Sequence, residues 1–339
     1  MIDLQTLSKN ELIKLIEDCF MGKKPSLFAT ARKVREQYCG NKVFLRGLVE
    51  ISNYCPNDCL YCGIRVSNRN AIRYRLTKEE ILACCQKGYA VGLRTFVLQG
   101  GEDVYYTDEC LCDIISVLKM RYPDVAITLS LGERSRQSYE RLYEAGADRY
   151  LLRHETANEE HYNKLHPEPL TLANRQKCLF ALKEIGYQTG AGLMVGSPGQ
   201  SIECLAEDLM LIRELKPQMV GIGPFIPHED TPFASENMGD LHQTLCMLAL
   251  TRILLPNVLL PATTALGSIA KDGLEQGLAA GANVIMPNLS PERYRDAYAL
   301  YNGKMHGESE VAEKLVAIAN KIKAVDMELD MSRGDYKEG

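Results

Sequence analysis

Three cysteines close together in the first third of the chain could bind a metal cofactor. Cys55, Cys59 and Cys62 lie in the sequence SNYCPNDCLYCGIR (residues 52–65), with the spacing C-x3-C-x2-C. A structural zinc site normally takes four protein ligands, and the nearest histidine along the chain is His154. Iron–sulfur clusters ordinarily take one thiolate per iron, so three cysteines on a four-iron cube leave one iron open. The spacing therefore favours a [4Fe-4S] cluster over zinc or simple buried cysteines.

The composition is that of an ordinary globular protein. The chain has 339 residues, a net charge of −5 and a hydrophobic share of 46%, without the basic footprint of a nucleic-acid binder. Its apolar runs are too short to span a bilayer, so we expect neither nucleic acid nor membrane as a partner. The 12 cysteines lack the spacing of a disulfide framework, and the first residues lack the apolar core of a signal peptide. These features predict reduced cysteines and a cytoplasmic location.

Eight short β-rich segments alternate with stretches of helical periodicity. The predicted strands are 42–52, 95–101, 126–132, 149–156, 188–196, 219–227, 259–265 and 283–288. Strands that alternate with helices predict βαβ units and a parallel sheet, and eight units predict an α/β fold of the full (β/α)8 TIM-type barrel. A doubly wound open sheet is the alternative.

The pattern divides the chain into three parts. Residues 1–41 are predicted to form an N-terminal helical extension, 42–303 the barrel, and 304–339 a C-terminal helix and tail. The charged final stretch, 330–339, is expected to fray. Barrel enzymes hold their reactive groups at the carboxyl ends of the strands, and the cysteines begin three residues after the predicted first strand. The pattern thus places a cofactor where a barrel enzyme would hold it.

Other predicted strands also end in residues that could bind a ligand. A Gly-Gly-Glu sequence (100–102) ends the second strand, and glycine permits close approach of the backbone to a ligand. On the predicted fourth strand Arg153 and Glu155 alternate with His154, so the two charged residues share one face. Charges on an inward face are costly unless they bind something. These strand ends therefore predict further binding residues beside the cysteines.

The cysteine spacing, with the aromatic Tyr61 before the last cysteine, resembles the signature of the radical S-adenosylmethionine (SAM) superfamily. The resemblance implies that the open iron chelates the amino and carboxylate groups of SAM, and that an electron from the reduced cluster releases a 5′-deoxyadenosyl radical. It also implies contacts with adenine, the amino group, the ribose and the carboxylate of SAM. The residues that it assigns to SAM are Tyr61, Gly100, Gly101, Glu102, Glu155 and Arg175.

Longer motifs narrow the resemblance to one family. EISNYCPNDCLYCGIR, GADRYLLRHETAN, MVGIGPFIPHEDTP and GANVIMPN resemble the radical SAM maturases of [FeFe]-hydrogenase (the HydE family), and the similarity runs from about Lys42 to Tyr301. It implies an enzyme that works with two other maturases on the di-iron subcluster. It also implies a small iron–cysteine carbonyl–cyanide substrate, with an electron donor such as ferredoxin or flavodoxin. No cysteine follows Cys246, so we predict one cluster only.

Polar residues predicted to face the barrel interior are candidates for holding the substrate. They are Thr128, Arg153, Thr263, Thr264, Tyr298 and Tyr301, the two tyrosines being placed on the last barrel helix. Two other functions stay open. One is a carbon-skeleton mutase resembling methylornithine synthase, which would act on an amino-acid-derived substrate and regenerate SAM. The other is a non-catalytic iron–sulfur scaffold.

Overall fold

A computed structural model describes residues 3–304 and 311–338. Its strands are β1 (Lys42–Leu45), β2 (Gly47–Ser52), β3 (Thr95–Gly100), β4 (Ala126–Ser130), β5 (Arg149–Leu151), β6 (Gln188–Val195), β7 (Met219–Pro224), β8 (Val284–Ile285) and β9 (Glu328–Asp330). Its helices are α1 (Lys9–Phe20), α2 (Leu27–Cys39), α3 (Lys78–Ala90), α4 (Asp108–Arg121), α5 (Arg136–Glu144), α6 (Glu159–Leu165), α7 (Leu172–Ile185), α8 (Ile202–Leu215), α9 (Leu241–Leu254), α10 (Thr264–Ile269), α11 (Gly273–Ala279), α12 (Glu292–Arg295) and α13 (Val311–Lys323).

Six parallel strands form the central sheet. Their order is β2-β3-β4-β5-β6-β7, each paired with the next strand of the sheet along the chain. Val49 pairs with Leu98, and Leu98 pairs with Leu129, so apolar positions stay aligned across three strands. A doubly wound sheet reverses its strand order, whereas this order follows the chain. The predicted α/β fold with a parallel sheet is confirmed, and the doubly wound alternative is wrong.

Single β-bridges continue the sheet beyond β7. The paired residues, all parallel, are Met219 with Leu259, Pro261 with Val284, and Leu48 with Asn288. The prediction of a continuous strand over 259–265 is wrong, because only bridges form there and α10 begins at Thr264. Pro261 has no backbone N–H, and proline cannot donate to a strand ladder.

Two predictions, one for the first barrel strand and one for the last residues of the chain, differ from the structure. The predicted first strand is split, because β1 joins β8 and β9 in a separate three-stranded sheet while β2 belongs to the six-stranded one. The predicted fraying is wrong for residues 330–338, since β9 pairs with β1 and Asp335 forms a 2.7 Å ion pair with Arg149; residue 339 lies outside the described residues. Terminal residues are ordered where hydrogen bonds and burial hold them, even when their composition is polar.

The helices pack around the central sheet, and every helix from α3 to α9 begins after a polar N-cap side chain that accepts a backbone hydrogen bond. Helices α1 and α2 pack against α8 and α9. Within the described residues, no helix is both long and apolar enough to cross a membrane. The division at 41/42 and 303/304 stays a prediction, and residues 1–2, 305–310 and 339 of the predicted terminal parts lie outside the described residues.

Candidate active site

The three cysteines lie on the long loop between β2 and α3. Arg73 braces this loop from inside, because its guanidinium donates hydrogen bonds to four backbone carbonyls at 2.5 to 3.1 Å. The accepting residues are Asn53, Ile64, Arg65 and Asn68. One side chain therefore holds together the backbone on both sides of the cysteines.

Asp103, which the sequence analysis missed, ties both ends of the cysteine loop to the loop after β3. Its carboxylate accepts hydrogen bonds from Ser52 Oγ at 2.6 Å and from Arg75 Nε and Nη2 at 2.7 and 2.9 Å. Burial alone raises the pKa of Asp103, but the bonds from Arg75 and Ser52 outweigh burial and lower that pKa below its ordinary value. The position of Asp103 directly after the Gly-Gly-Glu sequence was the signal in the sequence that could have identified it.

Two glycines allow the cysteine loop to lie against its neighbours. A Cβ added at Gly101 would lie 2.2 Å from the carbonyl oxygen of Tyr54 and 2.7 Å from Cβ of Cys55. A Cβ at Gly63 would lie 2.1 Å from the carbonyl oxygen of Ala299. No real side chain tolerates such distances, so each glycine is needed for this close approach.

The three thiols suit a positively charged cofactor. Burial raises the pKa of all three, to about 12 for Cys62, and for Cys59 the two neighbouring thiols add to burial. Backbone amides oppose this effect, that of Glu102 at the Cys55 sulfur and that of Ile64 at the Cys62 sulfur. Thiolates that bind iron are stabilised by the metal and by such amide donors. The donor set therefore fits an iron–sulfur cluster.

Within residues 3–304 and 311–338, no three histidine, cysteine, aspartate or glutamate side chains are arranged around one metal ion. A [4Fe-4S] cube takes each thiolate on a different iron, so its cysteines need not converge on a single ion. A structural zinc site requires such convergence of four ligands. The arrangement is consistent with a cube and does not provide a zinc site.

Tyr61 is anchored by a histidine that the sequence analysis did not use. The Tyr61 hydroxyl lies 3.1 Å from Nε2 of His166, and Nδ1 of His166 lies 3.0 Å from the carbonyl oxygen of Tyr162. Because a carbonyl only accepts, Nδ1 carries the proton and Nε2 accepts from Tyr61. Burial, aided by the charge of Arg175, lowers the pKa of His166 to about 3. A neutral histidine thus links the cysteine loop to α6.

Arg175 joins the ends of three strands. Its Nε lies 2.5 Å from a carboxylate oxygen of Glu133, and its Nη1 donates to the carbonyl of Arg153 at 2.7 Å. The backbone N–H of Glu133 in turn donates to Glu102 at 3.0 Å. Two predicted SAM residues, Arg175 and Glu102, therefore meet through Glu133, a residue that the sequence analysis missed although it also follows a predicted strand.

Arg153 and Glu155 lie beyond the end of β5 and not on it. The prediction of a strand through residue 156 is wrong, because β5 ends at Leu151 and Glu155 has a φ of 65°, in the left-handed region that strands do not use. The two side chains nevertheless meet, with Arg153 Nη2 3.1 Å from Glu155 Oε2. Apart from this ion pair at Glu155 Oε2, neither Glu155 Oε2 nor Arg153 Nε, both buried, has a hydrogen-bond partner within the described residues.

The three candidate threonines occupy different environments. Thr128 is 1% exposed, and its Oγ1 has no hydrogen-bond partner in the described part of the chain. Thr263 donates a long hydrogen bond of 3.4 Å to the carbonyl of Ile222. Thr264 is the first residue of α10. Thr128 is therefore the threonine with the clearest capacity for an added hydrogen bond.

The placement of the two candidate tyrosines on the last barrel helix is wrong. Helix α12 ends at Arg295, so Tyr298 and Tyr301 lie in the loop that follows it. Tyr298 is 2% exposed, and its hydroxyl accepts a 3.4 Å hydrogen bond from Gln99 at the end of β3. Burial raises the pKa of Tyr301 to about 12. Tyr298 is therefore packed inside the protein, whereas Tyr301 is half-buried.

A buried ion pair next to Tyr298 was also missed. Glu50 of β2 is fully buried and pairs with the ammonium group of Lys304. Asn288 donates a further 2.8 Å hydrogen bond to Glu50, and Lys304 donates one of 2.8 Å to the carbonyl of Tyr298. Burial lowers the pKa of Lys304. This pair fastens the loop with the candidate tyrosines to the strand that precedes the cysteines.

Comparison with known proteins identifies the family. The model of the Radical SAM superfamily matches residues 49–212. The chain is 52% identical over 284 residues to the [FeFe] hydrogenase maturase subunit HydE of Thermotoga maritima, covering 84% of this chain and 81% of that protein. The chain belongs to the HydE family.

Two further comparisons concern methylornithine synthases. The 3-methylornithine synthase of Methanosarcina acetivorans is 32% identical to this HydE-family chain over 278 residues, or 81% of this chain and 78% of that protein. The crystal structure of methylornithine synthase (PylB) superposes with a TM-score of 0.79 at 26% identity, covering 96% and 94% of the two chains. The mutase is thus a more distant relative than HydE.

Membership of the HydE family confirms several predictions. The chain is a radical SAM enzyme of hydrogenase maturation, and it uses a [4Fe-4S] cluster and SAM. The scaffold alternative is therefore wrong, and identities of 52% and 32% favour the maturase over the mutase. The number of clusters and the role of each residue stay predictions.

Proposed function

We propose that this HydE-family enzyme acts on a low-molecular-weight iron–cysteine species with carbonyl and cyanide ligands, as a step in assembly of the di-iron subcluster. The observation that carries the proposal is a pair of buried polar atoms, Thr128 Oγ1 and Arg153 Nε, that lack hydrogen-bond partners among the described residues. Such groups cost free energy unless a ligand bonds to them. A guanidinium and a hydroxyl suit the carboxylate of an iron-bound cysteine.

The remaining candidate residues would surround this substrate. We assign Thr263 and Thr264 as hydroxyl donors at the start of α10, and Tyr298 and Tyr301 as the cover. The burial of Tyr298 and its bond with Gln99 support that assignment. When bound, the cluster and SAM supply a 5′-deoxyadenosyl radical. The side chains hold the substrate in place and exclude water, which limits side reactions of so reactive a species.

We also assign six residues to SAM binding. They are Tyr61, Gly100, Gly101, Glu102, Glu155 and Arg175. Glu155 Oε2 forms an ion pair with Arg153 but no hydrogen bond within the described residues, and this supports a contact with the ribose hydroxyls, since a carboxylate accepts from two neighbouring hydroxyls. The anchoring of Tyr61 by His166 supports a backbone contact with adenine, because it holds that backbone in place beside the cysteines.

The fold that we propose for this function is a full (β/α)8 barrel formed by residues 42–303. The isolated parallel bridges from β7 to Leu259, from Pro261 to Val284 and from Asn288 to β2 support closure, because they lie between the two edge strands of the six-stranded sheet. Residues 1–41 would be an N-terminal helical extension, and 304–339 a C-terminal helix and tail. A closed ring would enclose the proposed substrate space on all sides.

The proposed partners follow from the same chemistry. An external donor such as ferredoxin or flavodoxin would reduce the cluster, and the partial exposure of all three cluster cysteines supports its access. We propose one cluster only, since no cysteine follows Cys246. We also propose contact with other hydrogenase maturases. A reducing cytoplasmic location is supported by cysteines that are all free within the described residues.

Anaerobic reconstitution followed by a turnover assay tests this function. We expect about four irons per chain, one per cube position, and 5′-deoxyadenosine formation when reductant, SAM and a synthetic iron–cysteine dicarbonyl–cyanide complex are supplied. Lysine, supplied as the amino acid that a methylornithine synthase would rearrange, should yield no rearranged product. Formation of methylornithine, with SAM regenerated, would overturn the maturase assignment in favour of the mutase.

A threonine pair tests the substrate site itself. Thr128→Val keeps the side-chain volume but removes the free hydroxyl, and we expect about a tenfold loss of kcat/KM for the complex, equivalent to one hydrogen bond. Thr251→Val is the matched control, because Thr251 is also buried but bonds within α9 to the carbonyl of Met247. Equal losses in the two variants would show that Thr128 has no specific contact with the substrate.

A further inference from the structure

A buried histidine–aspartate contact lies directly beside Glu155. His154 is fully buried, and its Nε2 lies 3.3 Å from Oδ1 of Asp208, a fully buried residue of α8. Burying a carboxylate costs free energy, and a hydrophobic residue of similar size would commonly be at least as stable there. Neither residue has a place in the site described above. The contact therefore calls for a reason other than packing.

The two side chains hold the backbone on both sides of Glu155. Oδ1 of Asp208 accepts a 2.5 Å hydrogen bond from the backbone N–H of Ala157. Nδ1 of His154 accepts one of 3.3 Å from the backbone N–H of Gly192. Because an amide N–H only donates, Nδ1 is the acceptor, so the neutral ring carries its proton on Nε2. Nε2 lies 3.3 Å from Asp208 Oδ1 but has no hydrogen-bond partner within the described residues.

The backbone between these two contacts is strained. Glu155 has a φ of 65°, and a non-glycine residue in the left-handed region costs about 1–3 kcal/mol unless its surroundings hold it there. On the side of β6 it is held by its N–H bond to the carbonyl of Gly192 at 3.0 Å and by the Met194 N–H at 3.2 Å. On the other side, the segment is held by the bond from Arg175 to the carbonyl of Arg153 and by the contacts of His154 and Asp208.

We propose that His154 and Asp208 are positioning residues that keep Glu155 in its left-handed conformation and so set the affinity for SAM. This proposal rests on the proposed assignment of Glu155 to the ribose of SAM. Neither residue would touch SAM or the reacting atoms. Their loss should therefore weaken the binding of SAM but not of free methionine, which can chelate the open iron without a ribose.

The two histidine variants separate the contact with Asp208 from simple loss of the ring. In His154→Asn the amide sits near the Nδ1 position and does not reach Asp208. In His154→Gln the side-chain amide sits near the Nε2 position and reaches Asp208. Titrations of the reduced holoenzyme with SAM and with methionine, followed by the electron paramagnetic resonance of the cluster, give both affinities. We expect His154→Asn and Asp208→Asn to weaken SAM about tenfold, His154→Gln to stay within about threefold, and methionine affinity to be unchanged.

Asp148→Asn is the matched control, because Asp148 also ties a backbone amide, that of Ile127 at 2.8 Å, but at the opposite end of β5. Hydrogen exchange of residues 153–157 in the chain without cluster should quicken in His154→Asn and not in Asp148→Asn. Equal SAM affinities in wild type, His154→Asn and Asp208→Asn, or an equal loss in Asp148→Asn, would overturn the positioning role. If Glu155→Gln binds SAM normally, the assignment of Glu155 itself fails; if only Glu155→Gln is impaired, the positioning proposal alone fails.

Discussion

Two aspartates lie near opposite ends of strand β5, Asp148 just before it and Asp208 of α8 near its carboxyl end, and their hydrogen bonding differs. Asp148, before the strand, accepts hydrogen bonds from the Ile127 amide and Lys119 at 2.8 Å and from Arg333 at 2.9 Å. Asp208, beyond the other end, accepts only from the Ala157 amide, and its Oδ2 has no hydrogen-bond partner within the described residues.

The difference shows where buried polar atoms of this molecule remain without hydrogen-bond partners. At the amino-terminal end of the strands, charges are paired with one another and with the chain terminus. At the carboxyl-terminal end, buried atoms of Arg153 and Glu155 lack hydrogen-bond partners in the described part of the chain, as does Thr128 Oγ1 in the middle of β4. Unsatisfied polar groups are expected where a ligand binds, and barrel enzymes bind ligands at this end. Arg46, whose Nε and Nη2 are also unpartnered near the other end, is an exception that nothing in the structure explains.

Removal of a cluster cysteine is the test of the carboxyl-terminal end of the strands for which we expect the largest effect. Cys59→Ala leaves two thiolates for a cube that takes one per iron, so we expect loss of most bound iron and no detectable SAM cleavage. Iron content after anaerobic reconstitution and 5′-deoxyadenosine formation measure these effects.

The control for that experiment is Cys178→Ala, which removes a buried thiol from α7. It should keep iron content and SAM cleavage at wild-type levels. Full activity in Cys59→Ala, or equal losses in both variants, would contradict the assignment of the cysteine loop as the cluster site.

A variant in the C-terminal tail tests the amino-terminal end of the strands, where we expect a change in stability and none in cofactor binding. Asp335 accepts hydrogen bonds from Arg149 at 2.7 Å and Gln188 at 3.1 Å. Because Arg149 is fully buried, Asp335→Ala leaves a buried charge short of its partner and should lower the free energy of unfolding by about 2 kcal/mol. Denaturant unfolding of the chain measures this change.

The matched control is Glu184→Ala, which breaks an exposed ion pair with Arg136 and should have almost no effect on stability. SAM affinity should be the same in wild type, Asp335→Ala and Glu184→Ala. A loss of SAM affinity in Asp335→Ala would contradict the separation between a structural and a functional end.

The sequence was sufficient for features that depend on local pattern. The spacing of the cysteines placed them on one loop after a strand, and alternation of strands and helices predicted the parallel order of β2 to β7. The alternation around Arg153 and Glu155 predicted that the two residues share one face of a strand; they lie beyond the end of β5, but their side chains do form an ion pair. Short-range spacing carries such information because it is set by backbone geometry.

Features that depend on distant partners were not predictable. Asp103, Glu133 and Asp208 bond to residues that are 28, 42 and 51 positions away. The position of Asp103 and Glu133 after predicted strands was a hint, but it did not identify these distant partners. The tail was expected to fray because its composition is polar, yet Arg149 and β1 hold it. The turn at Glu155 was missed because β propensity is easily overridden by tertiary contacts.

Acid unfolding gives the smallest expected effect and separates the two ends by pH. At the amino-terminal end, burial would raise the pKa of Asp335, but bonds from Arg333 and Arg149 lower it to about 2. The stabilisation from this carboxylate is present above the unfolded pKa, near 3.9, and is lost as the pH falls toward 2. Little of it changes above pH 5.

At the carboxyl-terminal end, burial lowers the pKa of His166 to about 3, whereas an unfolded histidine has a pKa of about 6.5. The unfolded chain therefore binds the extra proton first, and stability falls as the pH drops from 6.5 toward 3. Between pH 6.5 and 5.5 this single group should cost about 1 kcal/mol. His166→Gln should lack that loss while Asp335→Ala keeps it, in denaturant unfolding at both pH values. Parallel pH dependence in wild type and His166→Gln would show that His166 is not the group that makes this end acid-sensitive.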